Sequence, residues 1–136
     1  MNEDILIKKI FQETKTIAII GLSPNSEKAS YKVAEFLQSK GFKIIPVYPK
    51  EDFILGEKVY KSLDDIKERV DMVDVFRKAD FAFEVLEQIK KRDDVKTLWL
   101  QLGIINDQVI NEAHALGLDA IQDRCSAIEY QKLEMR

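Results

Sequence analysis

The feature that most constrains the fold is a short apolar segment that ends at a glycine. Residues 16–20 read Thr-Ile-Ala-Ile-Ile, and Gly21 follows them and opens a serine-containing loop. An apolar run of this length is typical of a strand buried on both faces, as in a parallel sheet covered by helices. The amphipathic segment 30–40 comes after the loop and stops at Gly41, which predicts a helix. A strand end, a glycine turn and a helix N-terminus should therefore meet, and their backbone N–H groups favour an anion such as phosphate.

The rest of the chain repeats this alternation. Further strands are predicted at 42–47, 58–60 (a very short edge strand), 72–76, 97–102 and 119–123, and further helices at 80–91 and 106–116. Crossovers of a dozen or more residues require parallel strands. The pattern predicts an α/β fold with a doubly wound, mainly parallel sheet of five to six strands and helices on both faces.

The two ends of the chain and one internal serine complete the predicted elements. Asn2 is placed to cap a first helix whose apolar stripe comprises Ile5, Leu6, Ile10 and Phe11. Ser62, followed three residues later by an acid, marks another helix start. The last residues, 131–136, read as a frayed or weakly helical tail.

Length and composition define the class of protein. With 136 residues, 46% of them apolar, the chain suits one core, so a single soluble domain over 1–136 is expected. No stretch resembles a signal peptide or a membrane span, and the lone Cys125 is ordinary in a reducing compartment, so the predicted location is the cytoplasm. The formal charge of −3 argues against bulk binding to nucleic acid or to membranes.

The carboxyl ends of the predicted strands carry groups that bind phosphate. A doubly wound sheet binds ligands at these ends, where the strand order reverses. Hydroxyls and cations follow the strands at Ser23, Ser26, Lys28, Ser30, Lys50, Arg77 and Arg124. The second strand ends in Tyr48, Pro49 and Lys50 instead of the acid that holds the ribose of NAD, and a cation there suits an additional phosphate. Glu51 and Asp52 follow immediately, so an unphosphorylated ribose stays open as an alternative. The predicted ligand is a phosphorylated nucleotide.

Several of these residues also have structural explanations. Gly21 could serve only a tight turn, and Ser30 fits a helix N-cap better than a nucleophile. Asp74, inside a predicted strand, fits an acid–base group or a carboxylate bonded to its neighbours. Cys125 follows a basic residue that favours the thiolate, whereas a single cysteine near a sheet end is usually inert. His114, the only histidine, is expected to have a structural role.

Seven short segments occur in an order and spacing that indicate a family. They are 19–23 (IIGLS), 29–34 (ASYKVA), 45–49 (IPVYP), 55–60 (LGEKVY), 73–77 (VDVFR), 99–103 (WLQLG) and 123–125 (DRC). Together they closely resemble the small, stand-alone CoA-binding proteins. That family is similar in fold to the nucleotide-binding domains of the succinyl-CoA synthetase alpha subunit and of ADP-forming acyl-CoA synthetases. The resemblance extends from Thr16 to Ile128.

The resemblance implies a Rossmann-like domain that binds coenzyme A through its phosphorylated ADP portion. Gly21, Ser23 and Ser30 would form the diphosphate loop, and residues 48–50 would border the adenosine and its 3′-phosphate. Residues 75–77 would flank the nucleotide, and residues 101–103 would line the path of the pantetheine arm. The complete predicted cofactor site is Gly21, Leu22, Ser23, Lys28, Ser30, Val47, Tyr48, Pro49, Lys50, Val75, Phe76, Arg77, Gln101 and Gly103.

The predicted function is the binding of CoA or an acyl-CoA as a carrier, sensor or regulatory module. The ligases that share this domain use a phosphorylated histidine and an ATP-grasp partner in other domains, so no catalytic residue and no metal ligand is assigned here. Two alternatives stay open: a small NADP- or CoA-dependent enzyme that uses Cys125 or Asp74, and a protein-interaction module with a vestigial nucleotide cleft. The predicted partner is a small nucleotide ligand, and a homodimer or association with an acyl-CoA enzyme is left open.

Overall fold

A computed structural model describes residues 2–135 and contains a five-stranded parallel sheet with an added hairpin. The strands are β1 (Thr16–Ile20), β2 (Lys43–Val47), β3 (Phe53–Ile54), β4 (Glu57–Lys58), β5 (Met72–Val75), β6 (Thr97–Leu100) and β7 (Asp119–Ile121). The helices are α1 (Glu3–Glu13), α2 (Ala29–Ser39), α3 (Ala82–Lys90), α4 (Asp107–Ala115) and α5 (Ser126–Glu134), with 3₁₀ turns at Leu63–Asp65 and Ala79–Phe81. In this part of the chain, no helix is long and apolar enough to cross a membrane.

The order of the parallel strands is β2-β1-β5-β6-β7, and each pairs in parallel with its neighbour. The chain leaves β1 towards β2 on one side, whereas it leaves β5 towards β6 on the other. The strand order therefore reverses between β1 and β5, which makes the carboxyl ends of these two strands the place where ligands bind in such folds. The predicted doubly wound α/β fold is confirmed.

Helices cover both faces of the sheet, as the uninterrupted apolar strands predict. Ile17 and Ile19 pack with α1, α2 and α5 on one face, while Ala18 and Ile20 pack with α3 and α4 on the other. Trp99 of β6 is fully buried on the first face, 5.6 Å from the ring of Phe11 in α1.

The first helix is confirmed, but its predicted apolar stripe is partly wrong. The Asn2 side chain caps α1 by accepting from the N–H of Asp4 at 2.7 Å. Ile5 is 60% exposed, and Ile7 is buried in its place together with Ile10 and Phe11. The correct stripe is spaced i, i+3 and i+4 from Ile7, so Ile5 lies on the solvent side of the helix.

The segment 131–136, expected to be frayed or weakly helical, forms the end of α5, which continues to Glu134. The part of this helix that begins at Ser126 is not predicted from the sequence. Its contacts with distant residues explain why local periodicity did not reveal it. The ring of Tyr130 lies edge-on to those of Phe11 and Phe42, with both pairs of centroids 5.3 Å apart. Tertiary packing therefore holds this helix in place. Arg136 lies outside the described residues.

The predicted edge strand at 58–60 is divided in the structure: Lys58 belongs to a hairpin, and Tyr60 forms an isolated bridge. Phe53–Ile54 pairs antiparallel with Glu57–Lys58 through a turn at Leu55 and Gly56, which have φ values of 54° and 77°. A leucine with positive φ is uncommon, so the sequence does not indicate this turn. Tyr60 alone bridges Val47 of β2, in parallel.

Several predicted elements end earlier in the structure. The predicted strands 72–76, 97–102 and 119–123 stop at Val75, Leu100 and Ile121, because the residues after them leave the sheet and form loops at its carboxyl edge. Ser62 caps only a 3₁₀ turn, and the predicted helix 80–91 begins as a 3₁₀ turn before α3.

Candidate functional site

The loops that follow β1 and β5 touch at the point where the strand order reverses. Gly21 has φ +86°, and a Cβ on this residue would lie 2.7 Å from the carbonyl oxygen of Phe76 and 3.1 Å from Cδ of Arg77. The Gly21 N–H donates to Val47 O at 2.9 Å, and the Phe76 N–H donates to Ile20 O at 2.8 Å, so both loops are fixed to the sheet. Only glycine fits both the backbone angle and the contact.

The loop between β1 and α2 is held by its own side chains. Ser30 Oγ accepts from the N–H of Ser23 at 3.0 Å, and Ser23 Oγ accepts from the N–H of Asn25 at 3.1 Å. The expected N-cap role of Ser30 is wrong: α2 begins at Ala29, so Ser30 lies in the first helical turn with its hydroxyl pointed back at the loop. Leu22, one of the predicted cofactor-binding residues, is fully buried, so the structure does not place it in contact with a ligand.

The N-terminus of α2 has no side-chain cap among the described residues. Lys28 is the N-cap residue, it is exposed, and its side chain makes no capping hydrogen bond. The first N–H groups of a helix lack partners within the helix, and the helix dipole places partial positive charge there. With Lys28 beside it, this helix start is suited to bind an anion.

A cleft of about 620 Å³, called the main cleft here, begins at this helix start. It lies between α2, the loops after β5 and β6, and the first turn of α5. Its walls are mostly apolar and include Ala29, Val33, Phe76, Ile104 and Ile128, with Arg77 at one side. The main cleft is therefore a place for an uncharged, extended part of a ligand next to an anion site.

A small cleft of about 150 Å³ lies on the other side of Arg77. Val47, Tyr48 and Pro49 at the end of β2 line it, together with Lys61. The guanidinium of Arg77 lies 4.2 Å from the centre of the Phe81 ring, a cation–π contact that orients it. Because Arg77 lines both clefts, it stands where a ligand that occupies both would pass.

The sequence-based predictions missed Lys61 and Phe81, which line the small cleft, whereas the predicted Lys50 lines neither cleft. The sequence indicates the position of Lys61 only indirectly, through its neighbour. Its neighbour Tyr60 exchanges hydrogen bonds with the end of β2, with Tyr60 N donating to Pro46 O at 3.0 Å and Tyr48 N donating to Tyr60 O at 2.9 Å. This bridge brings the following residue to the carboxyl edge of the sheet.

Beneath the main cleft, Asp74, Gln101 and Ser126 form a closed buried cluster. Gln101 Nε2 donates to Asp74 Oδ1 at 2.6 Å and to Ser126 Oγ at 2.7 Å, and the Ser126 hydroxyl donates to Asp74 Oδ2 at 2.9 Å. Burial raises the pKa of Asp74 to about 7, although the hydrogen bonds from Gln101 and Ser126 act in the opposite direction. Asp74 is 0% exposed and so cannot touch a ligand in the cleft, which favours the interpretation of a carboxylate bonded to its neighbours.

Of the remaining candidate residues, some line the main cleft and others are buried or paired within the protein. Gly103 and Gln101 line the main cleft, but the Gln101 side chain is committed to the buried cluster, and Val75 is wholly buried. Cys125 is half-buried and also lines the main cleft. Arg124, one of the candidate phosphate ligands, forms ion pairs with carboxylates, so its charge is used within the protein.

Comparisons with known proteins identify the family and the fold of the chain. Residues 15–131 match the family described as "CoA binding domain". The chain is 34% identical over 124 residues to the uncharacterised protein YneT of Bacillus subtilis, and the match covers 91% of each chain. A solved structure of a hypothetical protein from Pyrococcus horikoshii is 34% identical, with a TM-score of 0.89 over 96% of this chain and 92% of that one.

A longer relative contains a similar segment. The chain is 33% identical over 84 residues to an ADP-forming acetate–CoA ligase of Methanocaldococcus jannaschii. The match covers 62% of this chain and 12% of the ligase.

Proposed function

The chain belongs to the CoA-binding domain family, and we propose that it binds coenzyme A through the phosphorylated nucleotide and acts as a carrier, sensor or regulatory module. The observation that carries this proposal is the uncapped N-terminus of α2 at the reversal of strand order, beside the contact between Gly21 and Phe76. An anion at this position would receive backbone N–H groups and the helix dipole together.

The two clefts suit the two ends of coenzyme A. The diphosphate would lie at the α2 start, next to the loop that Ser23 and Ser30 hold together. The adenosine would lie at Tyr48 and Pro49 in the small cleft, where Lys61 supplies a cation for the 3′-phosphate. The pantetheine arm would extend into the apolar main cleft, past the loop after β6.

The site contains binding groups but no arrangement that supports acid–base chemistry on the ligand. Asp74 is buried beneath the cleft and fully hydrogen-bonded, and His114 lies exposed on α4. Cys125 and Lys78 line the main cleft, and the residues that line it include no histidine, aspartate or glutamate to serve as a general base for the Cys125 thiol. The function proposed for this site is therefore the binding and release of CoA.

Calorimetric titration of nucleotide-stripped protein at fixed salt tests the proposal, with CoA, dephospho-CoA, NAD and NADP as ligands. CoA is expected to bind with micromolar affinity, about −8 kcal/mol, and more tightly than dephospho-CoA, while NAD gives no signal. A preference for NAD or NADP would overturn the assigned ligand. Silence from all four would favour a protein-interaction module.

A further inference from the structure

A second groove continues from the end of the main cleft, on the side of α5 and the loop after β6. It has a volume of about 550 Å³, and we call it the outer groove. Leu102, Cys125 and Ile128 line both the main cleft and the outer groove, so the two share a wall. A ligand that lies along the main cleft and ends near Cys125 therefore points into the outer groove.

Exposed apolar side chains line the shared wall and the part of the outer groove next to it. Leu102 is 66% exposed, Ile128 is 47% exposed, and Ile105, which lines only the outer groove, is 53% exposed. Apolar side chains clustered around a concave surface indicate a binding site more strongly than the same side chains scattered singly. The groove is thus suited to an apolar group.

The charges around the outer groove disfavour a further negative charge, although Lys132 pairs with one of the carboxylates, that of Glu129, at 3.2 Å. Three carboxylates, those of Glu3, Asp123 and Glu129, line it against one guanidinium, that of Arg124. Arg124 Nε lies 2.5 Å from a Glu3 oxygen, and its Nη1 lies 3.2 Å from a Glu129 oxygen, so its charge is already paired. A carboxylate on the ligand would be the fourth at this groove and would meet an excess of like charge.

We infer that the outer groove receives the acyl chain of a CoA thioester, and that it selects a neutral apolar chain over one that ends in a carboxylate. This inference rests on the proposed function, because the CoA moiety must place the thioester at the end of the main cleft. The ligand class is then an acyl-CoA with a short apolar acyl group. Free CoA would leave the outer groove unfilled.

Titration of the full chain with CoA, butyryl-CoA and succinyl-CoA tests this selection. Both acyl groups have four carbons and differ only in a terminal methyl or carboxylate. Each fully buried methylene raises the affinity about fourfold, and each methylene in a half-open groove raises it about twofold. Over three carbons, butyryl-CoA is therefore expected to bind about eightfold more tightly than CoA, whereas succinyl-CoA is expected to bind no more tightly than CoA.

The outcomes separate the two proposals. If CoA binds and butyryl-CoA binds within twofold of it, the inference about the outer groove is overturned and the proposed function stands. The same holds if succinyl-CoA binds as tightly as butyryl-CoA. If none of the three binds, both proposals fall.

A pair of variants tests whether the groove itself is responsible. Ile105→Ala is expected to reduce the ratio of butyryl-CoA to CoA affinity by twofold or more. Leu116→Ala removes a similar side chain, 50% exposed at the far end of α4, and should preserve the ratio. Sedimentation of the free protein supplies a further check. If the protein is a dimer and its affinities for butyryl-CoA and CoA are nearly equal, a second copy covers the groove and the inference is overturned.

Discussion

The α-carbon of Gly21 faces the carbonyl oxygen of Phe76 so closely that a Cβ on residue 21 would lie 2.7 Å from that oxygen. This contact joins the ends of β1 and β5, and it forms the floor beneath the proposed diphosphate position. Both loops would have to move apart to accept any other residue. Because β1 and β5 are central strands, such a movement would disturb the sheet as well as the site.

Gly21→Ala is therefore expected to destabilise the protein through both strain and collision. Gly117 supplies a matched control, since its φ is also +86° but nothing lies within 4 Å of an added Cβ. Gly117→Ala should cost about 1 kcal/mol for the positive φ alone, and Gly21→Ala at least about 1 kcal/mol more. Urea unfolding measures both, and equal losses would show that the contact with Phe76 is unimportant.

Arg77 is expected to contribute to CoA affinity because it lines both clefts. Arg77→Ala removes the charge and the cation–π contact with Phe81, and should weaken CoA binding about tenfold, as for the loss of one charge-assisted hydrogen bond. Lys67→Ala, which removes an exposed cation from the segment that precedes β5, is the control and should have little effect. Calorimetry measures both affinities, and equal effects would mean that Arg77 acts only through the net charge.

Lys61 and Lys50 give competing predictions for the cation that reads the 3′-phosphate. The placement of Lys61 in the small cleft predicts that Lys61→Ala reduces the preference for CoA over dephospho-CoA severalfold, whereas Lys50→Ala does not. The ratio of the two affinities is the quantity to measure, because a general loss of binding would leave it unchanged. The reverse result would place the phosphate on the Lys50 side of the turn.

Asp74 makes a distinctive contribution to the pH dependence of stability. Burial raises the pKa of Asp74 to about 7 in the folded chain, compared with about 4 in an unfolded chain. The folded chain therefore binds the proton more tightly, and the stabilisation is full below about pH 4 and is lost as the pH rises through about 7. Asp74→Asn removes this loss. Its free energy of unfolding should rise relative to wild type between pH 4 and 7, by at most about 1.4 kcal/mol per pH unit.

Asp71 provides a control with the opposite slope. Burial alone would raise the pKa of Asp71, but the N–H groups of Thr16 and Lys15 and the Arg69 side chain together lower it. Its stabilisation is present at neutral pH and is lost as the pH falls below about 4. Asp71→Asn should therefore lose stability relative to wild type as the pH rises to about 4, and the difference should stay constant between pH 4 and 7, where that of Asp74→Asn changes. A difference between Asp74→Asn and wild type that is the same at every pH would contradict the raised pKa.

The central sheet could be predicted from the sequence because its strands are buried on both faces. Most residues in such strands have to be apolar, as at 17–20, and this leaves a clear pattern in the sequence. The hairpin formed by β3 and β4 depends on a leucine with positive φ. The helix α5 depends on aromatic contacts with distant residues. Neither kind of interaction produces a local periodicity.

The candidate site divides in the same way. Residues directly after central strands, such as Gly21 and Arg77, could be identified from strand ends and from the rule of the reversed strand order. Lys61 could not, because only the single bridge between Tyr60 and Val47 brings it there. The commitment of the Gln101 side chain to Asp74 was also unpredictable, since it depends on the register of β5 and β6 and on the start of α5.

The bridge that Tyr60 forms also affects how one molecule meets another. The open side of β2 is an exposed sheet edge, the kind of surface on which strands of separate chains join and aggregate. Pro46 offers no N–H there, and its carbonyl oxygen and the Tyr48 N–H are already taken by Tyr60 at 3.0 and 2.9 Å. An incoming strand finds few free partners along this edge. Edge-to-edge growth of the sheet into fibres is thereby disfavoured on the β2 side.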